Sequence, residues 1–264
     1  MSVDHSGMRL GKLRARHDPR TLRFADYVDT NVLPAPPPSC DWTRAVSAAW
    51  GMMLNDKIGD CTCAAAGHLV QDWTANSRHA EVTIADGDIE QAYEAVSGFN
   101  PATGQNDDGA VETDVLNYWR RTGIGGHNIA AYVALEPGNH AHVRDAINLF
   151  GGCYIGLDLP IAAQAQLTWT VPPGGTTGTG APGSWGGHAV ALVAYNTRRV
   201  TCVSWGDLKQ MTWGFLGAYC DEAYAVLSTE FLESDRSPQG FDLAQLQADL
   251  AQLSDHSVPD AAST

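Results

Sequence analysis

The chain has 264 residues and a formal charge of −14, from 30 acidic against 16 basic side chains, which argues against binding nucleic acid or an anionic membrane through its whole surface. Its 44% apolar content is that of a globular protein, its length suits one large domain or two lobes sharing a core, and 27 glycines and 13 prolines imply many loops. No stretch approaches a membrane span, and the basic start runs into Thr21-Leu22-Arg23-Phe24-Ala25-Asp26 instead of an apolar run. With no export signal, the expectation is a cytoplasmic protein with reduced thiols.

Residues 1–39 read as an extended arm. Arg9, Lys12, Arg14, Arg16, Arg20 and Arg23 crowd its first part, and Leu33-Pro34-Ala35-Pro36-Pro37-Pro38 closes it in a run that favours polyproline II. Such an arm is either a solvated terminus or a tether to an acidic partner, with this protein's own surface among the partners open to it. Asp41-Trp42 opens the globular part, and Trp50-Gly51-Met52-Met53-Leu54 leads to Asn55-Asp56-Lys57-Ile58-Gly59-Asp60-Cys61-Thr62-Cys63. A helix is predicted from about Cys61 to Ser77, with Leu69, Val70 and Trp73 at roughly helical spacing. A cysteine in the first turn of a helix feels the positive end of its dipole, which favours thiolate over thiol.

A second helix starts near Asp86 or Asp88, either of which can cap it, carries Ile89, Ala92, Tyr93 and Val96 inward, and ends at Ser97-Gly98. The Asn/Asp/Gly-rich stretch from Asn100 to Gly109 lacks the EF-hand series and reads as a loop. A third helix runs from about Glu112 to Arg121 and stops at Gly123. The pattern then changes. Ile129–Leu135 and Cys153–Leu159 read as strands around a short helix from His142 to Phe150, and further strands follow at His188–Tyr195, Val200–Trp205 and Glu222–Ser228. A helical first half, to about residue 125, and a strand-rich second half, about 126–232, make the class α+β with two lobes. Beyond Glu233, Asp242 can cap a helix carrying Leu243, Leu246, Leu250 and Leu253, which either packs on the body or self-associates; residues 254–264 read as disordered.

The chemistry lies in Cys61 at a helix start and in Gly186-Gly187-His188-Ala189-Val190, where a histidine enters an apolar strand. That is how a thiol nucleophile and its base look in sequence. His68, seven residues along the same helix from Cys61, sits about 10 Å away and is too far to be the base. Cys61-Thr62-Cys63 is one residue short of a C-x-x-C motif, and His127, His140 and His142 have no metal-ligand spacing, so no metal or cofactor is implied. The loop from Gly174 to Gly187 either walls a cleft, with Trp185 near its entrance, or is a plain surface loop. Trp205 and Trp213 shield the histidine or fill the core between the lobes.

Together these pieces resemble the papain-like cysteine peptidase family over roughly residues 40–230. Gly187-His188-Ala189-Val190 is similar to the family's catalytic-histidine strand, and Ser204-Trp205-Gly206, Trp213-Gly214 and Gly217-Ala218-Tyr219 to its closing segment. The resemblance implies a two-lobed fold with the site in the cleft, Cys61 as nucleophile and His188 as base. Asn55, six residues before Cys61, falls where the family has an oxyanion-hole amide, usually Gln. Cys63 as nucleophile would place Lys57 there, a poorer donor. Gly187, Trp185 and Trp205 would border the substrate. One departure stands out: the family's orienting Asn falls at Val203, which cannot accept the imidazole N–H, leaving Ser204 or Asp207 as substitutes. The function implied is a cysteine peptidase or amide hydrolase acting on peptide or protein. The rival reading is a weak or inactive papain-fold protein that binds or assembles into a larger particle through its arm and its last helix.

Overall fold

The computed structural model of the chain describes residues 4–29, 33–77, 80–232, 242 and 244–248. Three helices come first: α1 (Cys61–Asn76), α2 (Asp86–Ser97) and α3 (Glu112–Arg121). The second half holds β2 (Ile129–Ala134), α4 (His140–Phe150), β3 (Cys153–Leu159), β5 (Gly186–Tyr195), β6 (Arg199–Ser204), β7 (Asp207–Thr212), α5 (Trp213–Tyr219) and β8 (Cys220–Ser228). Short strands β1 (Cys40–Asp41) and β4 (Thr168–Trp169) and a last turn α6 (Thr229–Leu232) complete it. The class is α+β, as expected.

The strands form one sheet in the order β2-β8-β3-β5-β6-β7-β4, with β1 added to β5; every pairing is antiparallel except β4 with β7. Strand β5 is central, and its alternation divides the molecule. Val190 and Leu192 enter the β-lobe core with Val143, Ile147, Phe150, Phe215 and Leu216. Ala189, Ala191 and Val193 face the second core, built on α1, α2 and α3. Small residues on that face let α1 approach, and nearly the whole of α1 is buried. Two hydrogen bonds clasp the helix to the β lobe: Tyr154 OH donates to Thr62 O at 2.9 Å, and the Trp73 indole N–H to Phe150 O at 2.8 Å.

Several expectations are corrected. Neither Asp86 nor Asp88 is the cap of α2: Ala85 holds that place, and both carboxylates lie in the first turn, where the helix dipole favours them. Strand β7 and helix α5 were not foreseen, because Asp207-Leu208-Lys209-Gln210-Met211-Thr212 is half polar and reads as loop; β7 alternates exposed and buried beside β6. The boundary near residue 40 does not mark where packing begins. Phe24 is fully buried and Tyr27 nearly so, both within the β-lobe core, and Arg23 bridges to Ala134. The arm therefore lies along the body instead of in solvent. At the other end, residues 244–248 are helical, Asp242 Oδ1 accepts from Gln245 N–H, and Leu246 is buried in the β-lobe core. Leu243, Leu250, Leu253 and residues 254–264 lie outside the described residues. Among the described residues no helix is long and apolar enough to cross a membrane.

Candidate active site

A tight loop delivers Cys61. Met53 and Leu54 take left-handed backbone conformations (φ 50° and 67°), and Leu54 O accepts from both Lys57 N–H and Ile58 N–H. Asp107, from the Asn/Asp/Gly-rich loop, ties this turn down: its Oδ1 accepts from Gly59 N–H at 2.7 Å and from Tyr93 OH at 2.9 Å. Asp60 is the residue before α1, and its carbonyl accepts from Cys63 and Ala64 N–H. Cys61 is thus the first residue of a buried helix, 1% exposed, with Cys63 packed deeper in the helical core.

His188 reaches the same place from β5. Ala189 N–H, the next along that strand, donates to Cys61 Sγ at 3.4 Å. His188 Nε2 pairs with Ser204 Oγ at 2.9 Å, while Nδ1 is buried with no partner among the described residues. Strand register explains the choice of Ser204. Val203 pairs with Ala191 and shares its face in the helical core, so Ser204 lies on the His188 and Val190 face, a diagonal neighbour within reach. No bulge in β6 is needed. Asp207 is instead exposed, its Oδ1 accepting from Leu208 N–H. Between them Trp205 and Gly206, both at positive φ (50° and 70°), form the two-residue turn of the β6–β7 hairpin. That strained turn lays Trp205 flat on His188, ring centroids 4.4 Å apart, with Trp185 tilted against it at 5.6 Å.

Asn55 is placed differently from the implied oxyanion donor. Its Nδ2 donates to Ile58 O at 3.3 Å and to Asp60 Oδ1 at 3.1 Å, so both amide hydrogens are used within the loop. Asp56 and Lys57 are exposed, whereas Asp60 is fully buried with Oδ2 unpartnered among the described residues.

The arm runs through this cleft. Gly11 and Lys12 N–H both donate to Gly187 O (3.2 and 3.1 Å), Ala110 N–H donates to Gly11 O at 2.8 Å, and Leu13 N–H to Ala110 O at 2.9 Å. The arm is thereby bound on both walls, to the residue before His188 and to the loop before α3. Gly11 N–H also faces the Cys61 sulfur. The approach is so close that a Cβ on Gly11 would lie 1.7 Å from Gly59 O. Upstream, Arg9 O accepts from the Trp205 indole N–H at 3.0 Å, and His5 stacks on Trp205 at 5.4 Å.

Burial sets the protonation states. It pushes the Cys61 thiol up to about 12, only partly offset by the Ala189 and Gly11 N–H groups, and Asp60 raises it further. The helix-start preference for thiolate is outweighed here. Burial, with a smaller effect from His68, lowers His188 to about 3. Asp60 is raised to about 8 by burial, against the Asn55 hydrogen bond. With the arm seated the pair is a neutral thiol and a neutral imidazole. His68 bonds Gly51 O through Nε2 at 3.1 Å and stays neutral.

The fold is papain-like. The chain is similar to xylellain, a cysteine protease from Xylella fastidiosa, with a TM-score of 0.66 and 14% identity over 84% of this chain and 97% of that one. Digestive procathepsin L 3 of Tenebrio molitor larval midgut matches at TM-score 0.58 and 13% identity, over 84% of this chain and 77% of that one. The Carica candamarcensis cysteine protease CMS1MS2, in complex with E-64, matches at TM-score 0.53 and 16% identity over 73% of this chain and 99% of that one. At these identities the likeness establishes the fold. No family model matches the chain, and no curated protein matches it by sequence.

Sequence reasoning missed the arm's seat in the cleft and a set of carboxylates beside it: Glu112, Asp221 and Glu222. These come from the start of α3 and from β8, with no local motif to join them. The available signal was Asp221-Glu222 opening an otherwise apolar strand, matched by a lone early lysine.

Proposed function

We propose that the protein is a papain-like cysteine peptidase or amide hydrolase, held latent by its own N-terminal arm. One observation carries the reading: Cys61 Sγ at the start of α1 accepts a hydrogen bond from the residue next to His188, whose ring is in turn held by Ser204 and Trp205. When the arm leaves, water reaches both groups, the thiol pKa falls and the imidazole pKa rises. His188 then takes the Cys61 proton and the thiolate attacks an amide carbonyl carbon. The backbone N–H of Cys61, which has no intrahelical acceptor, faces the oxyanion, and Asn55 joins it by releasing Asp60. The imidazolium protonates the leaving amine, and water, deprotonated by His188, hydrolyses the thioester.

Ser204 takes the orienting role that Val203 cannot, since a hydroxyl both donates and accepts. A second reading, a binding or structural protein on the same fold, is favoured by the inward-turned Asn55 amide and the buried Asp60 beside the thiol.

Hydrolysis of fluorescent casein by the full-length Gly11→Ala protein separates the two, because the added Cβ collides with Gly59 and unseats the arm. The expected result is turnover that disappears in Gly11→Ala/Cys61→Ala and Gly11→Ala/His188→Ala, with circular dichroism unchanged. Turnover that survives loss of Cys61, or none in the folded Gly11→Ala protein, contradicts the hydrolase reading.

A further inference from the structure

Lys12 is next to the residue that faces the Cys61 sulfur, yet its side chain is fully buried. It leaves the cleft floor, passes over Gly156 on β3, and ends among carboxylates. Nζ meets Asp221 Oδ2 at 2.7 Å, Glu222 Oε1 at 3.1 Å and the arm's own Leu13 O at 3.2 Å. An ammonium has three N–H donors, and three acceptors surround it. Tyr224 OH holds the other Glu222 oxygen at 2.8 Å, fixing that wall. Glu112 closes the pocket; it is fully buried, and neither of its oxygens has a hydrogen-bond partner among the described residues.

Two features make this a built pocket instead of an incidental ion pair. Gly156 is the opening through which the stem passes: a Cβ there would stand 2.0 Å from Lys12 Cε and 2.9 Å from Glu112 Oε1. Any other residue would close it. Second, the cluster needs a cation. Glu112 and Glu222 are buried, and buried carboxylates without a partner are costly, so a positive side chain that takes the place of Lys12 gains what Lys12 supplies. The backbone contacts that position Lys12, Gly187 O and Ala110, are available to any extended peptide in the same groove.

We propose that Glu112, Gly156, Asp221 and Glu222 form a specificity pocket for a basic side chain, lysine above all, and that Lys12 is the arm's stand-in for that substrate residue. The proposal rests on the hydrolase reading for its biological meaning but not for its test. Binding of acetyl-Gly-Lys-Leu-amide and of its norleucine isostere to full-length Gly11→Ala/Lys12→Ala protein, in which the arm is unseated and the pocket empty, is measured by calorimetry, and again with Glu222→Gln added. The lysine peptide is expected to bind at least about tenfold more tightly, and the preference to collapse when Glu222 is neutralised. Equal binding of the two peptides, tighter binding of norleucine, or no binding of either overturns it. Should the double variant fail to fold, Gly11→Ala alone vacates the pocket with every pocket residue intact.

Fluorogenic amides of the same peptides separate the two claims. Lysine-selective binding without hydrolysis sinks the hydrolase reading and leaves the pocket standing. Hydrolysis without lysine preference does the reverse.

Discussion

Asp60 belongs to a polar loop in sequence, yet the fold buries it completely. It sits one position before Cys61, fully buried, accepting from Asn55 with one oxygen and leaving the other unpartnered among the described residues. Its carboxyl, raised to about 8, is protonated at neutral pH in the folded chain and ionised above about 4 in the unfolded one. Between those values the folded state holds more protons, so this group's contribution is present at low pH and is lost as pH rises through about 8. Asn imitates the protonated acid without titrating. Asp60→Asn is therefore expected to gain on the wild type by up to about 1.4 kcal/mol per pH unit from pH ~4 to ~8, and then level off. Urea unfolding across that range reads the gap directly, and a gap that stays constant with pH contradicts the assignment. His188 and His68 shift the opposite way: both are held neutral, and their contribution is lost as pH falls below the free imidazole value toward about 3 and 4.

At the scale of elements, the N-terminal arm behaves as part of the β lobe. Phe24 sits edge-on to Phe150 at 6.3 Å and to His142 at 5.4 Å, and Ala134 N–H donates to Leu22 O at 2.8 Å beside it. Removing a buried phenylalanine side chain from such a core costs about 3–5 kcal/mol. Phe24→Ala is expected to lower the unfolding free energy by that amount, read as a lower urea midpoint with the slope unchanged; a loss below about 1 kcal/mol would mean the arm only rests on the body. Helices α2 and α3 were legible because their apolar periodicity agrees with their burial, and α1 and the strands bearing Cys153 and His188 because they are runs of mostly small and apolar residues that the fold buries almost throughout. Strand β7 was not, since it is half exposed at the sheet's margin. Nor was the seat of the arm, whose contacts are mainly backbone hydrogen bonds that leave no side-chain pattern. Cys61 could be read because it begins α1, and Gly187 and His188 because they stand at the start of the apolar strand β5. Choosing between Ser204 and Asp207 required the β5–β6 register, which local sequence does not carry.

Across the whole molecule, one chain segment joins three features: the cleft, the ionisation of the pair and the acidic pocket. Gly11 faces the thiol, Lys12 fills the carboxylate pocket and Arg9 O takes the Trp205 N–H over His188. With the arm seated both groups are buried, and burial keeps thiol and imidazole neutral. The groove between α2 and α3, lined by Val96, Tyr118 and Arg121, is separate from this arrangement and holds neither cysteine nor histidine.

The most direct measurement is the pH–rate profile of iodoacetamide alkylation, with the modified cysteine located by mass spectrometry, in wild type and in Gly11→Ala. Cys61 is expected to label slowly in the wild type, where burial holds its thiol up at about 12. In Gly11→Ala it should label at least about tenfold faster near neutral pH, with an inflection below the free-thiol value that vanishes on His188→Ala. Slow labelling in both proteins, rising only at high pH and spread over several cysteines, would contradict a thiol–imidazole pair held in reserve beneath the arm.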